Sequence, residues 1–291
     1  MQSRQSTFLA LAMALPAMIL LVAFTHFPII ATVVDSFLST PKPRRPSHYV
    51  GLDNYNTMIA DPIFWKALTN NLIYAAATIP VSVALALAMA LVVNSKIKGR
   101  GLLRMAFFTP TVLPMIAVAN IWLFFFTPTY GAIDQILSIV GMHATNWLGS
   151  TQTALLCVII VAVWKEAGFF MIFYLAALQT IPPDLIEAAR IEGADRWQIL
   201  RRVTLPLLGP TTLFVAVNAV INAFRTVDHI FVLTGGGPDN ATNVLMYEIY
   251  LVGFGFFDQG YAAALTVVLL AGLALVAVGQ FVLFDKRVHY R

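Results

Sequence analysis

The chain has 291 residues, of which 59% are apolar and 11% charged, with 18 Lys and Arg against 14 Asp and Glu. A soluble domain carries about 25% charged residues, so this composition excludes an ordinary soluble globule, and its hydrophobicity excludes a disordered chain. A lone cysteine, Cys157, excludes a disulfide scaffold, the net charge of +4 is too small to imply a nucleic-acid partner, and the mean hydropathy of +0.80 points to an all-α polytopic membrane protein.

A helix needs about 20 apolar residues to cross a hydrocarbon core of about 30 Å. Six segments reach that length, Phe8–Val34, Thr69–Val93, Leu103–Phe126, Thr153–Leu178, Val203–Phe224 and Tyr261–Phe284. Together they predict six transmembrane helices in a single domain spanning residues 1–291. No segment alternates polar and apolar positions over a barrel strand's length. The first run is longer than a signal-peptide core and has no A-x-A site behind it, so it is expected to be a span.

Basic residues set the expected orientation. With the N-terminus inside, the inner segments 1–7, 95–104, 179–202 and 285–291 hold 12 Lys and Arg, whereas the outer loops hold 5, namely Lys42, Arg44, Arg45, Lys66 and Arg225. Lys165 lies mid-span. This asymmetry predicts cytoplasmic termini. The first outer loop, with Pro41, Pro43 and Pro46, is expected to be a stiff extended excursion. Two outer stretches, Leu52-Tyr55-Met58-Ile59 and Ile133-Ile136-Leu137-Val140, have the spacing of one helical face. Such a stripe fits a helix lying in the lipid headgroups, or a surface docking an external partner.

The inner loop 179–202 is the most structured by its own signals. Pro183 suits a first helical position, Asp184 lies near the positive end of the helix dipole, and Gly193 suits a left-handed cap. Asp195 with Gln198 reads as a capping box for a second helix, which carries Arg201 and Arg202 and enters span five through Leu205-Pro206. Helix, glycine turn and helix make a stiff knob. By these signals alone it is a solvated hairpin or something a partner grips.

At this point the chain resembles a known family. Glu187-Ala188-Ala189, three residues, Gly193, nine residues and Val203-Thr204-Leu205-Pro206 look like the EAA loop of permease subunits in bacterial ATP-binding-cassette importers, with Val203 in place of Ile. Tyr49-Val50-Gly51-Leu52-Asp53-Asn54-Tyr55, Trp164-Lys165, Leu178-Gln179-Thr180-Ile181-Pro182 and Gly235-Gly236-Gly237-Pro238 resemble the carbohydrate-uptake branch that includes maltose, trehalose and glycerol-3-phosphate permeases. The resemblance implies a type I importer permease fold in the bacterial inner membrane. It implies a second permease subunit as heterodimer partner, an ATPase subunit dimer that holds ATP and Mg, and an external solute-binding protein. Glu187, Ala188, Ala189, Gly193, Leu205 and Pro206 would then couple this chain to the ATPase, and the cargo would be a sugar, polyol or glycerol-3-phosphate-type solute.

The chain has no P-loop, since none of its lysines follows a glycine. Its five histidines lack ligand spacing, and there is no G-x-S-x-G elbow. An enzyme, a cofactor in this chain and a metal site are therefore not expected. Within the spans, Asn218, Asn222 and Arg225 share one helical face, which either lines a solute path or bonds neighbouring helices. Lys165 and Glu166 point about 100° apart, so each needs its own partner or water. Pro110 and Pro114 are expected to kink span three, and Ala84, Ala86, Ala88 and Ala90 to pack against a neighbouring helix. The competing reading is a stand-alone secondary transporter or channel, which would show inverted-repeat symmetry.

Overall fold

The computed structural model describes residues 2–95, 97–139, 141, 145–225 and 227–285. Lys96, Val140, His143 and Lys286–Arg291 lie outside them. In chain order, α1 (Gln2–Leu21) passes through a π turn, Val22–His26, into α2 (Phe27–Asp35). Then come α3 (Asp53–Ala60), α4 (Pro62–Asn94), α5 (Arg100–Val112), α6 (Met115–Phe126), α7 (Ala132–Ile139) and α8 (Ala154–Thr180). After them follow α9 (Pro183–Ile191), α10 (Arg196–Ile199), α11 (Leu205–Leu207), α12 (Gly209–Arg225), α13 (Asp228–Leu233), α14 (Leu245–Tyr250) and α15 (Gln259–Asp285). The described residues contain no strand, only two isolated bridges. Four helices are long and apolar enough to cross a membrane, and up to six spans result if each of two bent pairs is one crossing.

The expected kink at the prolines of the third apolar segment is present as a full break, and the fifth segment carries a second bend that was not expected. In the predicted third segment the chain turns by 104° between α5 and α6. Pro110 stays inside α5, and the break falls at Leu113-Pro114, where both residues are extended (ψ 138° and 141°). A proline forces the residue before it out of the helical region, which is why Leu113 yields. In span five the helical run Arg196–Leu207 meets α12 at 68°, beside Pro206 and Gly209-Pro210. The predicted fifth segment, Val203–Phe224, therefore straddles a joint. Span two starts earlier than predicted. Its 33 residues make α4 roughly 50 Å long at 1.5 Å per residue, so one end extends beyond the bilayer core.

The described residues fall into two compact units, one up to Pro62 together with Ile249–Ala271, the other Ile63–Glu248 and from Gly272 onward. In the first, the loop after α2 is not the extended excursion expected. It doubles back through bridges Leu38–Tyr49 and Lys42–Arg45, with Arg44 at φ 70°. The predicted stripe at α3 divides, with Met58 buried and Tyr55 half-buried while Leu52 and Ile59 are each 60% exposed and open to headgroups or a partner. Its inward polar contacts come from Asn54, whose Nδ2 donates to the Ser36 and Leu38 carbonyls at 2.8 and 2.9 Å, and from the stripe's Tyr55, whose hydroxyl lies 2.7 Å from Ser36 Oγ. The same loop is tied to the start of α15. Asp258 caps that helix by accepting from Tyr261 N–H and from the Thr40 hydroxyl, Thr40 Oγ1 accepts from Gly260 N–H, and Tyr261 Oη donates to Asp61.

In the second unit, Ala86, Ala90 and Val93 of α4 pack with Phe170, Met171, Tyr174 and Leu175 of α8 and with Leu208, Val215 and Ala219. Ala86 and Ala90 are fully buried while Ala84 and Ala88 face outward, so the alternation of alanines resolves into one i, i+4 contact face. Lipid tails are as apolar as leucine, so close packing rather than transfer from water holds such helices together. Gly168 shows how close that packing is. A Cβ there would lie 2.1 Å from the Phe107 carbonyl oxygen. On α7 the buried residue is Asp134, while Ile136 is 63% exposed. Its carboxylate accepts from Thr129 N–H at 2.8 Å and Trp147 Nε1 at 2.7 Å. These donors, the Thr129 amide first, hold the carboxyl below its ordinary value.

Candidate functional site: a polar cavity and an exposed helical knob

The helical signals of the inner loop translate directly into geometry. Pro182 flanks α9 in extended conformation and Pro183 takes its first position. The helix ends at Gly193 (φ +83°). There, Ala194 N–H bonds the Ala189 carbonyl at 2.9 Å and Gly193 N–H bonds that of Arg190 at 3.0 Å. This paired pattern is the Schellman cap, which needs a left-handed residue at that position. Asp195 Oδ1 accepts from Gln198 N–H at 2.7 Å, and Gln198 Oε1 accepts from Asp195 N–H at 2.9 Å. The capping box is thus complete, and a π turn, Leu200–Thr204, leads to Leu205-Pro206.

No residue of α9 is buried. Glu187, Ala188 and Gly193 are exposed, Ala189 is half-buried, and Leu205 and Pro206 are exposed beyond the buried Thr204. The knob also presents Leu185, Ile191 and Trp197, the last two 87% and 66% exposed. The sequence reading did not single out these apolar residues, although they are spaced around the glycine turn.

The second feature is a cavity of about 440 Å³ inside the larger unit. Asn218, Asn222 and Arg225 all line it, as their shared face on α12 predicts. Tyr74, Thr111, Met115, Lys165, Glu166, Phe169 and Asp228 complete the wall. Asn218 Nδ2 also donates to its own helix at Phe214 O, 2.8 Å away, so the carboxamide is oriented by the backbone. Lys165 and Glu166 both reach this wall from neighbouring positions on α8. Lys165 Nζ has a further partner that spacing gave no hint of, since it donates to the Leu113 carbonyl at the break in span three. Sequence reasoning missed Tyr74 and Asp228. Asp228 lies three residues beyond Arg225, at the start of α13, and charge spacing alone could have flagged it.

The cavity therefore offers two cations, two carboxyl groups, two amides and a phenol, with Phe169 as an aromatic surface. Groups of this kind exchange hydrogen bonds with a polyhydroxylated solute. Behind Tyr74 lies His229, fully buried, with Nε2 3.3 Å from Tyr74 Oη. Burial pushes the imidazole down to about 3, so the ring is neutral. Its Nδ1 has no partner among the described residues.

At one end of the same unit, the loop Gly235-Gly236-Gly237-Pro238 forms a tight platform. Gly235 and Gly236 have φ of +56° and +80°, and a Cβ on Gly236 would meet the Tyr247 ring at 2.7 Å. Asp239 pairs with Lys66 at 2.9 Å. Asn70 Nδ2 donates to the Asn240 and Asn243 carbonyls at 2.7 and 2.9 Å. Lys66, ahead of the predicted span, and Asn70, at its start, thus anchor this loop from the first turns of α4.

Comparison with known proteins agrees with this architecture. The family described as binding-protein-dependent transport system inner membrane component matches residues 81–290. The chain is 35% identical over 279 residues to a trehalose/maltose transport system permease protein of Thermococcus litoralis, covering 92% of each. It is 34% identical to an sn-glycerol-3-phosphate transport system permease protein of Agrobacterium fabrum, covering 94% of each. A sulfoquinovosyl glycerol transport system permease protein of Agrobacterium fabrum is 33% identical, over 90% of this chain and 86% of that one. In fold, it matches a chain of a bacterial alginate ABC transporter solved with its alginate pentasaccharide-bound periplasmic protein. That match has a TM-score of 0.85 at 24% identity and covers 96% and 94% of the two chains. The chain belongs to the family of binding-protein-dependent transport system inner membrane components.

Proposed function

We propose that this permease subunit of an ATP-binding-cassette importer passes a polyhydroxylated solute, a sugar, polyol or glycerol-phosphate compound, from an external binding protein through the α8–α12 cavity. Family membership gives the permease role and sets aside the stand-alone transporter. The relatives named above carry trehalose or maltose, sn-glycerol-3-phosphate and sulfoquinovosyl glycerol in their names. The cavity's own chemistry supports that class, because it combines directional amides with an aromatic face and charges of both signs. Asn218, Asn222 and Arg225 are the proposed solute contacts.

The single observation that carries the coupling half of the reading is the exposed, doubly capped knob at Glu187–Gly193. A loop capped this rigidly and left without buried residues of its own is suited to seat in a partner. Glu187, Ala188, Ala189 and Gly193 would form the contact with a separate ATPase dimer that binds ATP and Mg, and Leu205-Pro206 would pass its movement to α12. A second, different permease subunit would complete the solute path. The six segments, counted with each bent pair as one crossing, would then place both termini and the knob in the cytoplasm. The test is reconstituted uptake with ATP hydrolysis measured in parallel. Glu187→Gln and Gly193→Val are expected to lose solute-stimulated uptake while ATPase binding weakens. Full coupling in both variants would refute the role of the knob. Separately, Asn222→Ala should change the solute affinity of uptake without uncoupling it.

A further inference from the structure

A second, smaller cavity of about 210 Å³ lies where the end of α4, the start of α5 and the end of α8 meet. Its polar wall is Asn94, Arg100, Arg104 and Gln179, and its floor is Val93 and Leu175. It differs from the solute cavity in charge. There, Glu166 and Asp228 face Lys165 and Arg225, whereas here two guanidinium groups and two carboxamides line the wall with no carboxylate among them. Arg100 and Arg104 stand four residues apart and so project from one face of α5. Neither has an ion-pair partner among the described residues. Gly101 also lines the cavity, and a Cβ on it would meet nothing within 4 Å, so the backbone of the first turn is open to a ligand.

The location decides what an anion there would be attached to. These are span ends, where the apolar helix surface meets the headgroup layer. Directly beside the arginines, Leu102 and Met105 are 67% and 61% exposed, and Val92 of α4 is 47% exposed. Two guanidinium groups repel an ammonium and offer a neutral solute only ordinary hydrogen bonds, but a phosphate can take both as charge-assisted bonds. The apolar neighbours can at the same time lie along acyl chains. We infer that this cavity is a binding site for the phosphate group of an anionic membrane phospholipid. It gives a role to Arg100 and Arg104, two of the four basic residues of segment 95–104, which neither the solute cavity nor the knob employs. Basic recesses between membrane helices are suited to such headgroups.

The experiment uses the complete importer, purified with its partner subunits, reconstituted in nanodiscs of phosphatidylglycerol and phosphatidylcholine, and then stripped with mild detergent. Native mass spectrometry counts the lipid that stays bound. The wild type should retain one phosphatidylglycerol per copy of this chain in preference to phosphatidylcholine. Each arginine should contribute about a fivefold preference, so R100Q/R104Q should lose the retained lipid. R100K/R104K should keep most of it, and K98Q, which alters a nearby charge outside the cavity, should leave it unchanged. Retention in R100Q/R104Q equal to wild type, or an equal loss in K98Q, would overturn the site. Equal retention of phosphatidylcholine would overturn its selectivity for anionic lipid. Displacement of the lipid by millimolar inorganic phosphate would assign the cavity to the free anion instead.

Discussion

Lys165 Nζ donates to the carbonyl of Leu113, so a basic side chain in the middle of α8 closes the backbone break between α5 and α6. The break exists because Pro114 has no N–H and pushes Leu113 into extended geometry. A carbonyl released in this way inside a membrane protein must find a donor, and Lys165 supplies it from the cavity wall. Replacing Lys165 by Met should therefore cost about 1–3 kcal/mol. The loss should appear as a lowered melting temperature of the purified complex together with reduced uptake. Lys165→Gln keeps a donor and should recover part of the stability. If Met melts like wild type, the bond does not hold the break.

Gly168 gives a packing prediction with an internal control. Its Cβ position is 2.1 Å from the Phe107 carbonyl, a backbone atom that cannot rotate away, whereas Gly272 and Gly279 have nothing within 4 Å. Gly168→Ala should force α5 from α8 and cost about 1–3 kcal/mol or more by overpacking. Gly272→Ala should be neutral or slightly stabilising, because alanine is the better helix former. Complex yield and melting temperature of the two variants, measured side by side, separate the cases.

At Gly193 the constraint is conformational and not steric. A Cβ there meets nothing, but φ is +83°. Gly193→Ala should cost about 1–2 kcal/mol of local stability through the left-handed backbone, Gly193→Asn less, and Gly193→Val more. Hydrogen exchange of α9 should rise in the order Asn, Ala, Val. Uptake should fall in the same order if the knob couples to the ATPase.

His229 predicts a pH dependence. Its folded value is depressed to about 3 by burial, from an ordinary 6.5. Below pH 6.5 the unfolded chain takes up a proton that the folded chain does not. The stabilising contribution is therefore complete above 6.5 and is lost as pH falls from there toward 3. The slope approaches about 1.4 kcal/mol per pH unit for one proton. Melting temperatures between pH 7 and pH 5, a window above ordinary carboxylate titration, should fall in the wild type. That component should be missing from His229→Gln. The same slope in both proteins would exclude His229 as its source.

The sequence by itself determined the features that depend on neighbours along the chain. The apolar segments follow from length and hydropathy. The knob at 183–198 follows from proline at a helix start, glycine at its end and a complete capping box, all of which act within one or two turns. The shared face of Asn218, Asn222 and Arg225 follows from the helical repeat alone. Tertiary structure decided whatever depended on what stood opposite. Which polar residues of α3 and α7 turn inward depended on partners elsewhere, since Asn54 and Asp134 found theirs in the adjoining loops while Leu52 and Ile136 stay exposed. Two prolines in span three were equivalent in sequence, and only Pro114 broke the helix, at a carbonyl for which Lys165 was in reach. The polar cavity shows the same division. Its α12 wall was legible as periodicity, but Tyr74, Lys165, Glu166 and Asp228 reach it from α4, α8 and α13, and helical spacing carries no information across separate helices.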